Sequence, residues 1–575
     1  MKKRFFSFMR FFRKDCLCHL ILLSVLIGII VGLISVVFHF SLSFLDNNIF
    51  RGITGFVETT SQRVKFDSER IIDFGVYRPW LLPVVIGLGA LIAGIIVANF
   101  APDTRGHGTD QALKAYHHKN GIIAPKVPVI KTIASVITLG FGGSGGAEGP
   151  MVQSGAGVGS FIARLLKLSV RERRILLISG MAAGLGSFFK APIAGAIFSN
   201  EILYRDGNFE DDALVPATIA SVIGYITYSF FYGFSPLFQT EQTMFIMYWH
   251  YLIPLTILAL VCSAFGSFFV KTFYKIHDIF EKLSLPLWLK PAIGGVLTGL
   301  LAIFIPYVAG SSYGYLQGVF VNELSLTILI LLAFGKVIAT SFSIGSGGSG
   351  GVFGPSMVIG GALGGAVGII YNMAANGQYA VNPGTMGILG MAGFFTAVAN
   401  TPISTLIMVS EMTGDFYLLI PGLWVIGLSY TFSRSYSIYR EQITDSITSP
   451  AFRENFREKI ISKHQLAEVM DEHFFLRDDF DVNELDIIRG RFKSNLIPVI
   501  NEKGEYLGII NFEDPELKIN KLPAFKSDFN CQKTREYMEL SGNHIVAVVD
   551  NNGNFIGAVS DEIMDLYIFK KILAK

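Results

Sequence analysis

Residues 131–150 read KTIASVITLGFGGSGGAEGP, and residues 336–355 read KVIATSFSIGSGGSGGVFGP. The two align without a gap at an offset of 205, and eleven of the twenty positions are identical. A second correspondence follows each copy at an offset of 210: Gly180-Met181-Ala182, Pro192-Ile193 and Glu201 recur as Gly390-Met391-Ala392, Pro402-Ile403 and Glu411. Both copies lie in apolar surroundings. Paired hydrophobic segments broken by Gly and Pro, at matching places in two halves, point to a transporter's binding site near the bilayer midplane.

Composition agrees with a membrane setting. The chain has 575 residues, 51% hydrophobic and 16% charged, with 60 glycines and 49 phenylalanines. Soluble proteins carry about 25% charged residues, whereas packed membrane helices favour small residues that let backbones approach. A net charge of +2 without a basic block gives no sign of nucleic-acid binding. The basic start MKKRFFSFMRFFRK precedes an apolar run, Leu20 to Phe44, too long for a signal-peptide core. The positive-inside rule then places the amino terminus in the cytoplasm. Cys16 and Cys18 have no second ligand pair nearby, so they read as unpaired thiols, and no metal is expected.

Spanning helices need about 20 apolar residues. Leu20–Phe44, Trp80–Phe100, Ala213–Phe231, Tyr248–Phe273, Leu289–Ile305 and Leu324–Ser341 meet that length. Val127–Gly140, Met151–Leu166, Ile175–Phe189, Ile193–Leu203, Met357–Tyr371, Met386–Ala399, Ile403–Met412 and Leu418–Phe432 read as too short or too glycine-broken to span alone. Broken backbone at membrane depth must be satisfied by protein or a watery cavity, so these segments should gather in the interior. Residues 45–78 form a polar link. The expected organisation is a cytoplasmic segment at 1–18, a transmembrane domain over 19–445 with two inverted halves at about 80–232 and 249–440, and a small cytoplasmic α/β domain over 446–575.

That last domain is itself duplicated. NLIPVINEKGEYLGII, from Asn495, reads as strand, turn and strand, and HIVAVVDNNGNFIGAV, from His544, repeats it. A helical stretch precedes each hairpin, at 482–489 and 532–540.

The glycine passages carry the chemistry. A helix start has unpaired N–H groups and about half a positive charge, and so binds anions without a cationic side chain. GGSGG exposes successive N–H groups, and Pro150 and Pro355 suit the first turn of the helix that follows. Two such starts related by a pseudo-two-fold axis can aim at one anion, held weakly enough to leave. A phosphate loop is excluded, because no Gly-Lys-Ser/Thr follows. The copies diverge at one telling place, Glu148 in the first against Phe353 in the second. An intramembrane carboxylate beside an anion site can occupy it, and leave on protonation.

These residues resemble the CLC family of chloride channels and proton-coupled chloride transporters. GGAEGP (Gly145–Pro150) is similar to the family's G(K/R)EGP signature, GGVFGP (Gly350–Pro355) to GxFxP, and RGHGTD (Arg105–Asp110) stands where the family has GSGIP. The resemblance covers about residues 20–445, and the tail resembles a pair of CBS modules. It implies an anion-transporting homodimer in the inner (plasma) membrane, not an enzyme, with cytoplasmic termini and one pathway per subunit. Chloride or another small anion and protons would be its partners. By the same resemblance Glu148 is the gating glutamate and Tyr439, in SIYREQ, donates its hydroxyl to the anion. His107, Gly108, Gly146, Gly149, Val352 and Phe353 line the site, and Lys131 supplies positive potential from behind it, unless its recurrence as Lys336 marks a structural role.

Three departures qualify that picture. His107 replaces the signature serine, and a neutral imidazole donates one hydrogen bond whereas a protonated one adds charge; alternatively the ring turns away and backbone N–H groups serve. Ala147 replaces the usual Lys or Arg. Ile202 stands where exchangers carry an internal proton glutamate, one residue after Glu201. The reading carried forward is chloride transport coupled to proton antiport, with Glu148 and Glu201 as proton-pathway candidates. The alternatives are a passive channel gated by Glu148, a ligand-responsive membrane sensor with the CBS tail, and a carboxylate transporter. No bound cofactor is expected, save an adenine nucleotide at the tail. There Asn511 and Asp514 match the positions that often meet ribose and phosphate, whereas the second module has Ser560 and Ile563.

Overall fold

The computed structural model describes residues 16–56, 76–240, 248–375, 379–446, 448–451, 461–462, 464–480, 495–512, 514 and 517–573. It divides into one unit ending at Ser449 and a second beginning at Pro450. Among the described residues, seven helical segments are long and apolar enough to cross a membrane.

The first unit is helical. Its main helices are α1 (Cys16–Leu45), α2 (Leu82–Phe100), α3 (Thr109–His118), α4 (Val127–Gly140), α5 (Glu148–Leu165), α6 (Val170–Phe188), α7 (Pro192–Glu201) and α8 (Asp211–Tyr232). Then come α9 (Leu252–Lys282), α10 (Leu289–Phe304), α11 (Tyr313–Phe320), α12 (Leu326–Ser343), α13 (Phe353–Ala374), α14 (Pro383–Ala399), α15 (Pro402–Thr413) and α16 (Leu419–Ser433). The second set repeats the first. α1 packs on α4, α6 and α8, while α9 packs on their counterparts α12, α14 and α16. The first half therefore begins at α1, not near residue 80, because α1 and α9 cover equivalent faces of the two halves.

Three readings of length change in the structure, one of them Leu418–Phe432, which with the turn before it forms an 18-residue apolar segment, Phe416–Ser433, long enough to cross. Leu289–Phe304 is only 16 residues long, because Pro306 opens a 3₁₀ turn just beyond it. Conversely, α13 runs 22 residues through glycines that read as breaks. A β-carbon on Gly360 or Gly364 would strike the backbone carbonyl of Gly390 or Met386 in α14. These glycines thus serve close helix packing, whose contacts outweigh their weak helix propensity. Of the link at 45–78, the chain continues as a π-turn over Asp46–Arg51 and a helical turn at Gly52–Thr54; residues 57–75 lie outside the described set.

The axis relating the halves passes through the glycine passages. Gly146 N donates to Gly351 O at 2.9 Å and Gly351 N donates to Gly146 O at 2.6 Å. These two residues are each other's equivalents, so the pair is self-complementary. Ser135 meets Ser349 at 2.8 Å, and their equivalents Thr340 and Ser144 meet at 3.1 Å. Ile344 and Leu139, again equivalents, pack together against both Gly145 and Gly350.

The second unit repeats at an offset of 49. In one sheet β1 (Leu476–Arg477) pairs parallel with β2 (Leu496–Ile500), which pairs antiparallel with β3 (Tyr506–Asn511), and β4 (Ile519–Asn520) completes it. In the other, β5 (Phe525–Lys526), β6 (Ile545–Val549) and β7 (Phe555–Ser560) take the same pairing. Even the register shift recurs, at Val499/Ile500 and at Val548/Val549. The helix expected at 532–540 is present as Cys531–Ser541; the one at 482–489 lies outside the described residues.

Candidate functional site

The site is built on uncapped helix starts. α3, α5, α11 and α13 open with no side-chain hydrogen bond from their N-cap residues Gly108, Ala147, Ser312 and Val352. Their first N–H groups and the positive ends of their dipoles are left for something else. Close packing brings these starts together. A β-carbon on Gly149 would collide with the His107 carbonyl, and one on Gly354 would lie 2.5 Å from the Tyr313 hydroxyl. Gly108 adopts φ of +86°, a turn that a side chain would strain, and a β-carbon there would crowd Gln153, Gly149 and Lys131.

The Glu148 carboxylate occupies the meeting point. It is 2% exposed. Its Oε1 accepts the backbone N–H of Gly354 at 2.6 Å. The carboxylate folds over both axial glycines: β-carbons on Gly146 or Gly351 would run into its oxygens. An anion belonging to the chain thus rests on an N–H group of the opposite half. The Tyr313 hydroxyl faces it as well.

Other predicted residues distribute around this point. Tyr439 is 1% exposed, with Thr109 as a hydroxyl neighbour and Glu148 within electrostatic reach. The His107 ring lies beside that of Tyr439, with centroids 5.5 Å apart. Val352 serves as the N-cap of α13, and the Phe353 ring packs with Phe189, Phe198 and Phe395 at centroid distances of 5.1, 6.1 and 4.0 Å. The donor to the carboxylate for which a distance is resolved is Gly354, two residues beyond Val352. Gly354, Tyr313 and Thr109 were not singled out from the sequence. Thr109 and Tyr313 are the first residues of the equivalent helices α3 and α11, and that equivalence was the available signal.

Lys131 is fully buried, and its Nζ donates to Thr104 O at 3.0 Å and Gly106 O at 2.7 Å. Lys336 does the same to Val308 O at 3.2 Å and Gly310 O at 2.7 Å, and also donates to Ser312. Each lysine ties the loop before its short helix to the glycine passage.

Glu201, the second proton-pathway candidate, places its carboxylate at the start of a neighbouring helix. Its oxygens accept Ile403 N at 2.9 Å, Ser404 N at 2.8 Å and the Ser404 hydroxyl, capping α15. Glu411 reciprocates on α7, accepting Ile193 N at 3.1 Å and Ala194 N at 2.8 Å. Ile202 is fully buried just beyond α7. In the second unit, Asn511 ends β3, and Asp514 N donates to Asn511 O at 3.1 Å, forming a turn.

A family model described as voltage gated chloride channel matches residues 89–434, more than half the chain. The protein belongs to this family. It is an integral membrane protein of the CLC fold. Relatives include an uncharacterized protein of Methanocaldococcus jannaschii, 33% identical over 360 residues, 63% of this chain and 86% of that one. The H(+)/Cl(-) exchange transporter ClcA of Yersinia pestis is 27% identical over 410 residues, 70% of this chain and 82% of that one. Among solved structures, a CLC-type fluoride/proton antiporter covers 75% of this CLC chain and 98% of its own, with a TM-score of 0.63 at 23% identity. A eukaryotic CLC transporter covers 96% of this chain and 98% of its own, with a TM-score of 0.59 at 18% identity. Both structures speak to fold alone.

Proposed function

We propose that this CLC protein carries chloride across the membrane in exchange for protons, and that Glu148 is both gate and proton carrier. The observation that carries the reading is the Glu148 carboxylate lying on the Gly354 N–H at 2.6 Å, over Gly146 and Gly351. A free anion competes for that same donor. Protonation removes the charge that holds the side chain there, so the ionised carboxylate and the anion are alternatives at one place, and proton uptake by Glu148 opens that place to the anion. The attraction comes from backbone dipoles, which suits an ion that must also leave. The naming of ClcA as an H(+)/Cl(-) exchange transporter supports the coupling. Gly108, Gly146 and Gly149 shape the site, and Tyr439 offers its hydroxyl.

A second reading, a passive channel gated by Glu148, draws on a specific observation. The Glu201 carboxylate is taken up by α15, and Ile202 carries no proton. Purified protein in liposomes under a fixed chloride gradient separates the two. Chloride flux that drives protons uphill, lost in Glu148→Ala, supports exchange; chloride flux without proton movement supports the channel; neither flux turns attention to other anions, carboxylates included, or to a sensor. The remaining proposals rest on the family: a homodimer in the plasma membrane with cytoplasmic termini, and a CBS-type tail whose Asn511 and Asp514 meet an adenine nucleotide.

A further inference from the structure

His107 and Asp110 stand together at the start of α3. Nε2 of His107 lies 3.2 Å from Asp110 Oδ2. Asp110 is held from its other side, accepting Arg440 N on Oδ2 at 3.3 Å and Glu441 N on Oδ1 at 3.2 Å. The carboxylate is therefore fixed along the Nε2 edge of the imidazole. The second nitrogen, Nδ1, is buried and has no hydrogen-bond partner among the described residues. It belongs to a side chain only 7% exposed, beside Tyr439, on a residue whose carbonyl abuts the start of α5.

The chemistry of the pair constrains what the ring can do. A neutral imidazole has one N–H, and an ionised carboxylate can only accept. Asp110 therefore favours the neutral tautomer with its hydrogen on Nε2, which leaves a lone pair on Nδ1. A lone pair repels an anion. Only the imidazolium presents N–H groups at both nitrogens, one to Asp110 and one at the otherwise unpartnered Nδ1.

The groups around the ring are these. On α3, Asp110 touches it, while Lys114 and His118 turn to Glu441 at 3.4 and 4.0 Å. From α9, Phe273 meets the ring, Tyr274 donates to Ile438 O, Asp278 pairs with Arg440 at 3.6 Å and Glu281 with Arg105 at 2.6 Å. Arg440 lies over the Tyr274 ring at 3.6 Å. Lys131 of α4 is bound to Gly106 O, and Glu148 stands at the start of α5.

We infer that His107 donates to the anion only as an imidazolium, with Asp110 as the positioning residue that imposes this, so that one proton is taken up with each anion bound beside Tyr439. The inference rests on the anion-site reading above and adds a proton-linked group separate from Glu148.

The test uses the full chain in detergent with Glu148→Gln, which removes the competing carboxylate. Sodium chloride is titrated calorimetrically from pH 5.5 to 8.5, in two buffers of unlike ionisation enthalpy, which gives protons taken up per chloride bound. The expected result is uptake approaching one proton at the alkaline end, with chloride affinity falling about tenfold per pH unit there. Adding His107→Ser should abolish both. Adding Asp110→Asn, whose amide can donate to Nε2 and free the hydrogen for Nδ1, should flatten the pH dependence and restore affinity at pH 8.5. Chloride binding that is independent of pH in Glu148→Gln, or uptake that survives His107→Ser, overturns the inference and leaves the anion site standing. No chloride binding at any pH overturns both. The uptake measured in Glu148→Gln alone decides the matter even if a double variant fails to fold.

Discussion

The two halves of the membrane unit share a scaffold and differ in chemistry. Lys131 and Lys336 bind equivalent loop carbonyls, Glu201 and Glu411 each cap the helix that carries the other, and Gly146 and Gly351 pair across the axis. Against that background the differences stand out. Glu148 faces Phe353, and in the register set by the lysine contacts His107 and Asp110 face Ser311 and Gly314. The reactive side chains lie in the first half, and the second half supplies the N–H group on which one of them rests. What recurs holds the fold, and what fails to recur is where the proposed ion and proton chemistry lies. Tyr439, beyond the last helix of the second half, joins the unrepeated set.

The comparison is broken most sharply at Glu148. Glu148→Gln should lower chloride-driven proton movement by about 100-fold or more, the order expected on removing a proton-transferring group, while anion flux persists. Paired chloride and pH electrodes on a liposome suspension would show it; proton movement equal to the parent's would remove Glu148 from the mechanism.

The glycines of the first half come next. In Gly146→Ala the new methyl meets the end of the flexible Glu148 side chain, which can shift. Losing a charge-assisted hydrogen bond of about 1.5–3 kcal/mol should free the site and raise anion flux at neutral pH roughly tenfold. In Gly149→Ala the methyl meets the His107 carbonyl, a backbone atom that cannot easily yield. Its effect should be loss of stability by about 1–3 kcal/mol, read as a lower melting temperature, with no gain in flux.

The shared scaffold should answer to symmetric changes. Glu201→Gln and Glu411→Gln should each cost about 1–3 kcal/mol through weakened capping, and both should leave proton coupling in place. A coupling defect in Glu201→Gln alone would restore it as a proton carrier and spoil its equivalence with Glu411. The smallest effect belongs to the duplicated tail. Asp514→Ala should abolish an ATP-induced rise in melting temperature of about 2–4 °C, whereas Ile563→Ala should leave it unchanged; equal responses would mean the two modules are functionally alike.

Much of this was legible in the chain. The repeat, the helix starts at Glu148 and Phe353 and the anion chemistry follow from glycine and proline placement, which acts on the local backbone. The length of α13 was misread, because a glycine's cost to an isolated helix is local while its gain comes from α14 packed against it. Glu201 is a proton-pathway candidate by its position beside Ile202, and its recurrence as Glu411 adds a scaffold role that the sequence alone does not weigh against the first.

The sequence by itself determined that this is a membrane protein with two equivalent halves, an anion-attracting pair of helix starts and one carboxylate between them. Those features rest on hydrophobic length and on residues that act within a few positions of themselves. Only the tertiary structure decided which donors each carboxylate receives: Gly354 for Glu148, Ile403 and Ser404 for Glu201, Arg440 and Glu441 for Asp110. Each of those bonds joins residues about 200 or more positions apart, and a hydrogen bond across such a distance depends on packing that no local pattern records.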